Sequence, residues 1–200
     1  MLRIFFTVII SAVIFSCGQQ TRDRNGDNDD MVVRVESLES SLQEAERAFL
    51  DNLSGLCGQS FRGKELYTAP GRDSWAEKEF VMHVTVCEDD RVHIPFHLDD
   101  DHSRTWMFLA EENGLRFRHD HRHEDGTPED QTLYGGYADG TGSAFLQKFP
   151  ADQYTIDLLT DTLGREWRVI LAEDLSTMTY QLHYSGQLMF AAEFDLTEPI

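Results

Sequence analysis

Thr105-Trp106-Met107-Phe108-Leu109-Ala110, then Glu111-Glu112-Asn113-Gly114, then Leu115-Arg116-Phe117-Arg118-His119-Asp120-His121, is the stretch on which the fold turns. Two strand-like runs flank a short polar segment containing Asn-Gly. Asn and Gly accept the positive φ angles of a type I′ turn, so the segment predicts a β-hairpin turning at Asn113-Gly114. A second hairpin is expected near the end, where Met178 to Tyr184 turns at Ser185-Gly186 into Leu188 to Leu196. There Met178, Tyr180, Leu182 and Tyr184 alternate with polar or small residues, as do Leu188, Phe190, Ala192 and Phe194, which is the period of a half-buried strand.

Working outward, Leu56 onward reads as short alternating runs split by turn residues, roughly nine or ten strands in all. A short helix is expected at 151–162, closed by Gly164. Pro95 cannot donate to a ladder, which places its strand at an edge or a bulge. Before the strands, Val35, Leu38, Leu42, Ala45, Phe49 and Leu53 recur every three or four positions. They predict one amphipathic helix over 33–54, stopped by Ser54-Gly55. An antiparallel meander of this length removes its edges most simply by closing. The expected fold is therefore an all-β, up-and-down, calycin-like barrel over 55–200, with a β-sandwich as the alternative. The first strand carries no lipocalin G-x-W motif.

At the N-terminus one basic residue, Arg3, precedes the apolar run Ile4 to Phe15, and Ser16 precedes Cys17. These are the parts of a secretory signal over 1–16. The apolar run, about a dozen residues, is shorter than the roughly 20 of a transmembrane helix. Val13-Ile14-Phe15-Ser16-Cys17 resembles the lipobox of bacterial lipoproteins, which implies acylation of Cys17 and anchoring to a lipid bilayer. Gly18 after the cysteine resembles lipoproteins sent to the outer membrane. Residues 17–32 lack large apolar side chains apart from Met31 and Val32, and read as a flexible tether. Their Asp and Asn residues do not fit the spacing of a calcium loop.

Cleavage before Cys17 removes Arg3 and no acid, taking the net charge from −19 to −20. A surface of that sign repels phosphate backbones and excludes nucleic acid as a partner. Cys57 and Cys87 would be the remaining thiols of an exported chain, so they are expected to pair.

Several strings resemble a family of uncharacterised secreted bacterial proteins. They are Leu56-Cys57-Gly58-Gln59-Ser60-Phe61-Arg62-Gly63, Val81-Met82-His83-Val84 with Cys87, and Ile94-Pro95-Phe96-His97. Ser103-Arg104-Thr105-Trp106, His119-Asp120-His121-Arg122-His123-Glu124-Asp125-Gly126, Tyr134-Gly135-Gly136 and Glu193-Phe194-Asp195-Leu196-Thr197 complete the pattern, which covers most of 50–199. The resemblance implies a secreted domain with two structural cysteines and supplies no reaction.

Chemistry is densest in 115–125. On a strand, Leu115, Phe117, His119, His121 and His123 share one face, and Arg116, Arg118, Asp120 and Arg122 the other. Three readings stand. The histidines and arginines pair with cross-strand neighbours. Alternatively, His119, His121, His123, Arg116, Arg118 and Trp106 form a polar face for an anionic small molecule. The third is a divalent transition metal held by His119 with His121, or His121 with His123. Three histidines in a row span about 13 Å and cannot meet one ion, so that reading needs a further ligand such as His97, His102, Glu124 or Asp125.

No G-x-S-x-G or P-loop pattern is present, so no catalytic residue, enzyme activity or cofactor is expected. The readings predict different interiors. A ligand carrier needs a cavity lined by Phe, Trp and Arg. A scaffold protein needs a filled barrel, and a metal enzyme needs converging ligands beside a carboxylate.

Overall fold

The computed structural model describes residues 42–160 and 163–200. The signal, Cys17, the tether and residues 33–41 of the expected helix lie outside the described residues.

Helix α1 (Glu44–Ser54) is followed by strands β1 (Ser60–Thr68), β2 (Phe80–His83), β3 (Val86–Glu88), β4 (Arg91–Leu98), β5 (Asp101–Glu111), β6 (Gly114–His121), β7 (Tyr134–Tyr137) and β8 (Leu146–Pro150). Helix α2 (Gln153–Leu159) precedes β9 (Arg165–Leu171), β10 (Thr177–Tyr184) and β11 (Gln187–Asp195). Helix α1 starts later than the apolar period suggested, because Gln43 has extended backbone and acts as its N-cap. The Gln43 N–H donates to the Glu46 carboxylate at 3.1 Å, satisfying one donor at the helix start. Helix α2 likewise starts after its cap, Asp152, and ends at Thr160 in the left-handed conformation, ahead of Gly164.

Around the sheet the order is β7-β6-β5-β4-β2-β1-β11-β10-β9-β8, with β3 also on β4 and every pair antiparallel. Most sequence neighbours pair, β2 and β3 lie one after the other along β4, and the first strand pairs with the last. The sheet is a nearly closed meander barrel, not a sandwich. Its seam falls between β7 and β8, within the chain and not between its first and last strands. There the Asp152 N–H donates to the Gly135 carbonyl and the Asp139 N–H to the Lys148 carbonyl, each at 3.0 Å. The approach is close enough that a Cβ on Gly136 would stand 1.8 Å from the Pro150 carbonyl oxygen.

Pro95 lies in an interior strand. Residues 96–98 of β4 pair with β2 and residues 91–93 with β3, so Pro95 faces the break between those two strands and interrupts no ladder. A register shift between Phe96 and Leu98 marks a bulge against β5. In the β5–β6 hairpin Glu111 pairs with Gly114, which makes Glu112-Asn113 the two-residue loop. Gly114 alone supplies the positive φ there, so the turn is not the type I′ that Asn-Gly suggested. The β10–β11 turn does have positive φ at both Ser185 and Gly186.

One end of the barrel is plugged. Phe49, Leu50 and Leu53 of α1 are at most 1% exposed and pack over the interior, with the Phe49 ring 6.0 Å from Phe108. Buried Glu46 accepts a hydrogen bond from Leu115 N–H at 3.3 Å, tying the helix to the β5–β6 turn. The Cys57–Cys87 disulfide joins the segment after α1 to β3 across 30 positions.

Candidate functional site

The opposite end of the barrel is open. Strand alternation carries inward-facing side chains from the plugged end, where Phe108, Phe117 and Phe149 fill the interior, to a cavity of about 190 Å³ beneath the mouth. Its wall is a stack of three rings: Phe96 lies 4.8 Å from Trp106 at 7°, and Trp106 lies 4.9 Å from Tyr180 at 10°. Phe96, Trp106 and Tyr180 come from β4, β5 and β10, so the stack spans the barrel interior.

Polar groups at the floor are held in one order. His119 is 4% exposed, and burial pushes its imidazole down to about 3. A neutral imidazole has one N–H. Nδ1 lies 3.2 Å from the Tyr134 carbonyl, which only accepts, so Nδ1 carries the hydrogen. Nε2 then accepts from the Tyr180 hydroxyl at 3.0 Å. Burial holds the Tyr180 phenol neutral and raises Tyr134 to about 12. One bond further toward the mouth, the Tyr134 hydroxyl lies 3.0 Å from His121 Nε2.

The mouth is cationic. Among the described residues, Arg72, Arg104 and Arg165 line the cavity against a single carboxylate, Asp73. Arg165 sits 5.1 Å above the Tyr184 ring, and Arg72 reaches the Tyr184 hydroxyl at 3.3 Å. Arg104 lies 5.8 Å over the Trp75 ring and is paired with Asp101 at 2.6 Å. In a chain of net charge −19 this local excess of positive charge stands out against the rest of the surface.

The structure therefore divides the residues singled out above. His119, His121 and Trp106 share the cavity. Arg116 and Arg118 lie on the outer face, where both donate to Asp152 (3.0 and 2.5 Å) and take no part in the cavity. His123 is exposed beyond the end of β6, so it does not continue the inward row of His119 and His121. Both nitrogens of His119 are engaged, and among the described residues no three His, Cys, Asp or Glu side chains stand ready around one point as metal ligands.

The arginines of the mouth escaped the sequence reading, although a signal was present. Arg104 alternates with Trp106, Phe108 and Ala110 on β5, and Arg165 with Trp167, Val169 and Leu171 on β9. In each case an arginine opens an otherwise apolar inward series. Tyr134 and Arg72 gave no such signal, because they reach the cavity only through barrel closure and the β1–β2 loop.

Compared with protein-family models, with curated proteins and with solved structures, the chain matches none.

Proposed function

We propose that the protein is a small-molecule carrier or sensor of the bacterial cell envelope, binding an organic anion in the mouth cavity while acylated Cys17 holds it at a lipid bilayer. The observation that carries the binding reading is the convergence of Arg72, Arg104 and Arg165 over an aromatic cavity in a strongly acidic chain. Guanidinium groups suit carboxylate or phosphate, and stacked rings suit an apolar body. Size narrows the class. A cavity of about 150 Å³ holds one benzene molecule, and this one measures about 190 Å³. The ligand is thus a single ring, or a short chain, bearing one acidic group. A scaffold protein has no use for such a void, and catalysis is not assigned. The envelope reading rests on the lipobox-like sequence and on the resemblance to secreted bacterial proteins, with which the Cys57–Cys87 disulfide agrees.

The test is a titration of tryptophan fluorescence with benzoate, phenylacetate, butyrate and inorganic phosphate, alongside uncharged benzyl alcohol. Trp75 and Trp106 line the cavity and report occupancy. At least one organic acid should saturate at one site. Arg104→Gln or Arg165→Gln should weaken it by about tenfold or more, as expected for a charge-assisted hydrogen bond of about 1.5–3 kcal/mol. Equal binding of benzyl alcohol, or identical curves for wild type and variants, would remove the anion reading.

A further inference from the structure

We propose that His83, His97 and His102, on the outside of the barrel and away from the mouth cavity, form a binding site for a divalent transition metal such as zinc. They come from β2, β4 and β5, and none of them lines the cavity.

Three features of the backbone assemble the group. His83 ends β2 where the ladder breaks opposite Pro95, leaving its side chain unhindered by a continuing strand. His97 points outward because its neighbours Phe96 and Leu98 point into the core. His102 has the same sequence parity as inward-facing Arg104 and Trp106. The register shift between Phe96 and Leu98 intervenes, and His102 lies exposed with its ring stacked on His97 at 3.8 Å and 14°.

The nitrogens are already close to a chelating separation. His83 Nε2 and His97 Nδ1 are 3.0 Å apart. Two imidazole nitrogens bound to one tetrahedral zinc at 2.0–2.1 Å stand about 3.3 Å from each other. A shift of a few tenths of an ångström would open the pair around an ion. The stacked His102 ring, which turns about its own side-chain torsions, supplies the third nitrogen, and water completes the shell. The site is therefore assembled by the metal, not standing ready in its absence.

The surroundings favour the ligating form. Ser60 Oγ lies 2.7 Å from His83 Nδ1. With Nδ1–H donating to that oxygen, the Nε2 lone pair faces His97, which is the outer-shell arrangement that orients metal-bound histidines. Burial, followed by the neighbouring His102 and His83, pushes His97 down to about 4, and burial followed by His102 lowers His83. His83 and His97 are thereby held toward the neutral ring, the form that metals bind. Exposed Asp100 in the adjoining turn adds negative charge beside the site, Asp99 being paired with Lys78 at 2.8 Å.

The experiment is calorimetric titration of the purified protein with zinc at pH 7.5, repeated with cobalt, whose visible absorption reports nitrogen ligation. One metal should bind per chain. His83→Ala, His97→Ala and His102→Phe should each weaken zinc by at least tenfold; the last keeps the ring contact but removes the nitrogens. His102 is exposed and His83 and His97 are half-buried, and matching melting temperatures without metal would show that the variants are folded. Absence of zinc uptake by the wild type overturns the proposal. So does an unchanged isotherm in any of the three folded variants. Neither result bears on anion binding at the mouth.

Discussion

The Tyr180 hydroxyl donates to His119 Nε2 across 3.0 Å, which fixes His119 as the neutral, Nδ1-protonated tautomer at the floor of the cavity. The stability of the barrel should consequently depend on acid. His119 titrates at about 3 in the folded chain and near 6.5 when unfolded. Its contribution is complete above pH 6.5 and is lost as pH falls from there to about 3, because only the unfolded chain gains the proton in that window. The slope from this one group is at most about 1.4 kcal/mol per pH unit. His119→Gln can keep a donor and an acceptor without titrating. Denaturant melts between pH 7 and 4 should show a shallower acid decline in that variant, and an equal decline would refute the assignment.

Anion binding should respond to pH in the opposite sense. His121 lines the mouth, and burial followed by Arg104 lowers its pKa below the usual 6.5. An anion that stays charged, such as a sulfonate, should bind more tightly as pH falls below 6.5, since bound anion favours protonated His121. Zinc at the outer histidines should instead weaken over the same range. Sulfonate affinity that declines with acidification, in protein still folded by circular dichroism, contradicts the first expectation.

Asp152 should matter more than an ordinary surface carboxylate. It accepts from Arg116 and Arg118, whose side chain is 5% exposed, and it caps α2 through the Thr155 N–H. Removing it leaves a buried guanidinium without this partner and weakens the helix that follows the seam. Asp152→Ala should lower unfolding free energy by about 3–5 kcal/mol. Lys78→Ala, which breaks a pair exposed by 43% on both sides, should cost no more than about 1 kcal/mol. Comparable urea midpoints for the two variants would show that the Asp152 network contributes little.

Cys57→Ser should lower stability by about 2–4 kcal/mol, the effect of opening a 30-residue loop. The same variant should expose Cys87 to alkylation. Resistance of Cys87 to alkylation in the unfolded variant would indicate another partner.

Cys17→Ser should abolish fatty-acid labelling and move the protein out of the membrane fraction. Mass spectrometry of the mature wild type gives the direct answer: a mass without acyl chains removes the anchor reading.

Much of the architecture was written in local pattern. Met178, Tyr180, Leu182 and Tyr184 alternate because one face of β10 is inside, and that alternation needs no knowledge of partners. The site was less legible because a barrel mouth is built from residues far apart in sequence. His119 and His121 could be placed on one face from their spacing alone. Which face turned inward depended on Leu115 and Phe117, whose burial sets the row. The outward row, Arg116 and Arg118, looked equally suited to an anion until Asp152, 34 positions beyond Arg118, claimed both. The Asn-Gly turn shows a different limit. Pairing of Glu111 with Gly114 shifts the loop by one residue, a choice set by register along the whole hairpin.

The pairing of the first strand with the last has a consequence for how the chain is made. Gly63 meets Phe194, a partner 131 positions later, so β1 cannot complete its ladder until the final strand has been delivered. Contacts of such long range form slowly, because the intervening chain must lose its freedom before they contribute. A polypeptide threaded across a membrane N-terminus first would thus arrive with its earliest strand unmatched on one side. The order of the strands delays closure until synthesis of the chain is nearly complete. A truncation that removes β11 should leave β1 and β10 both with open edges, the condition under which exported β-proteins aggregate.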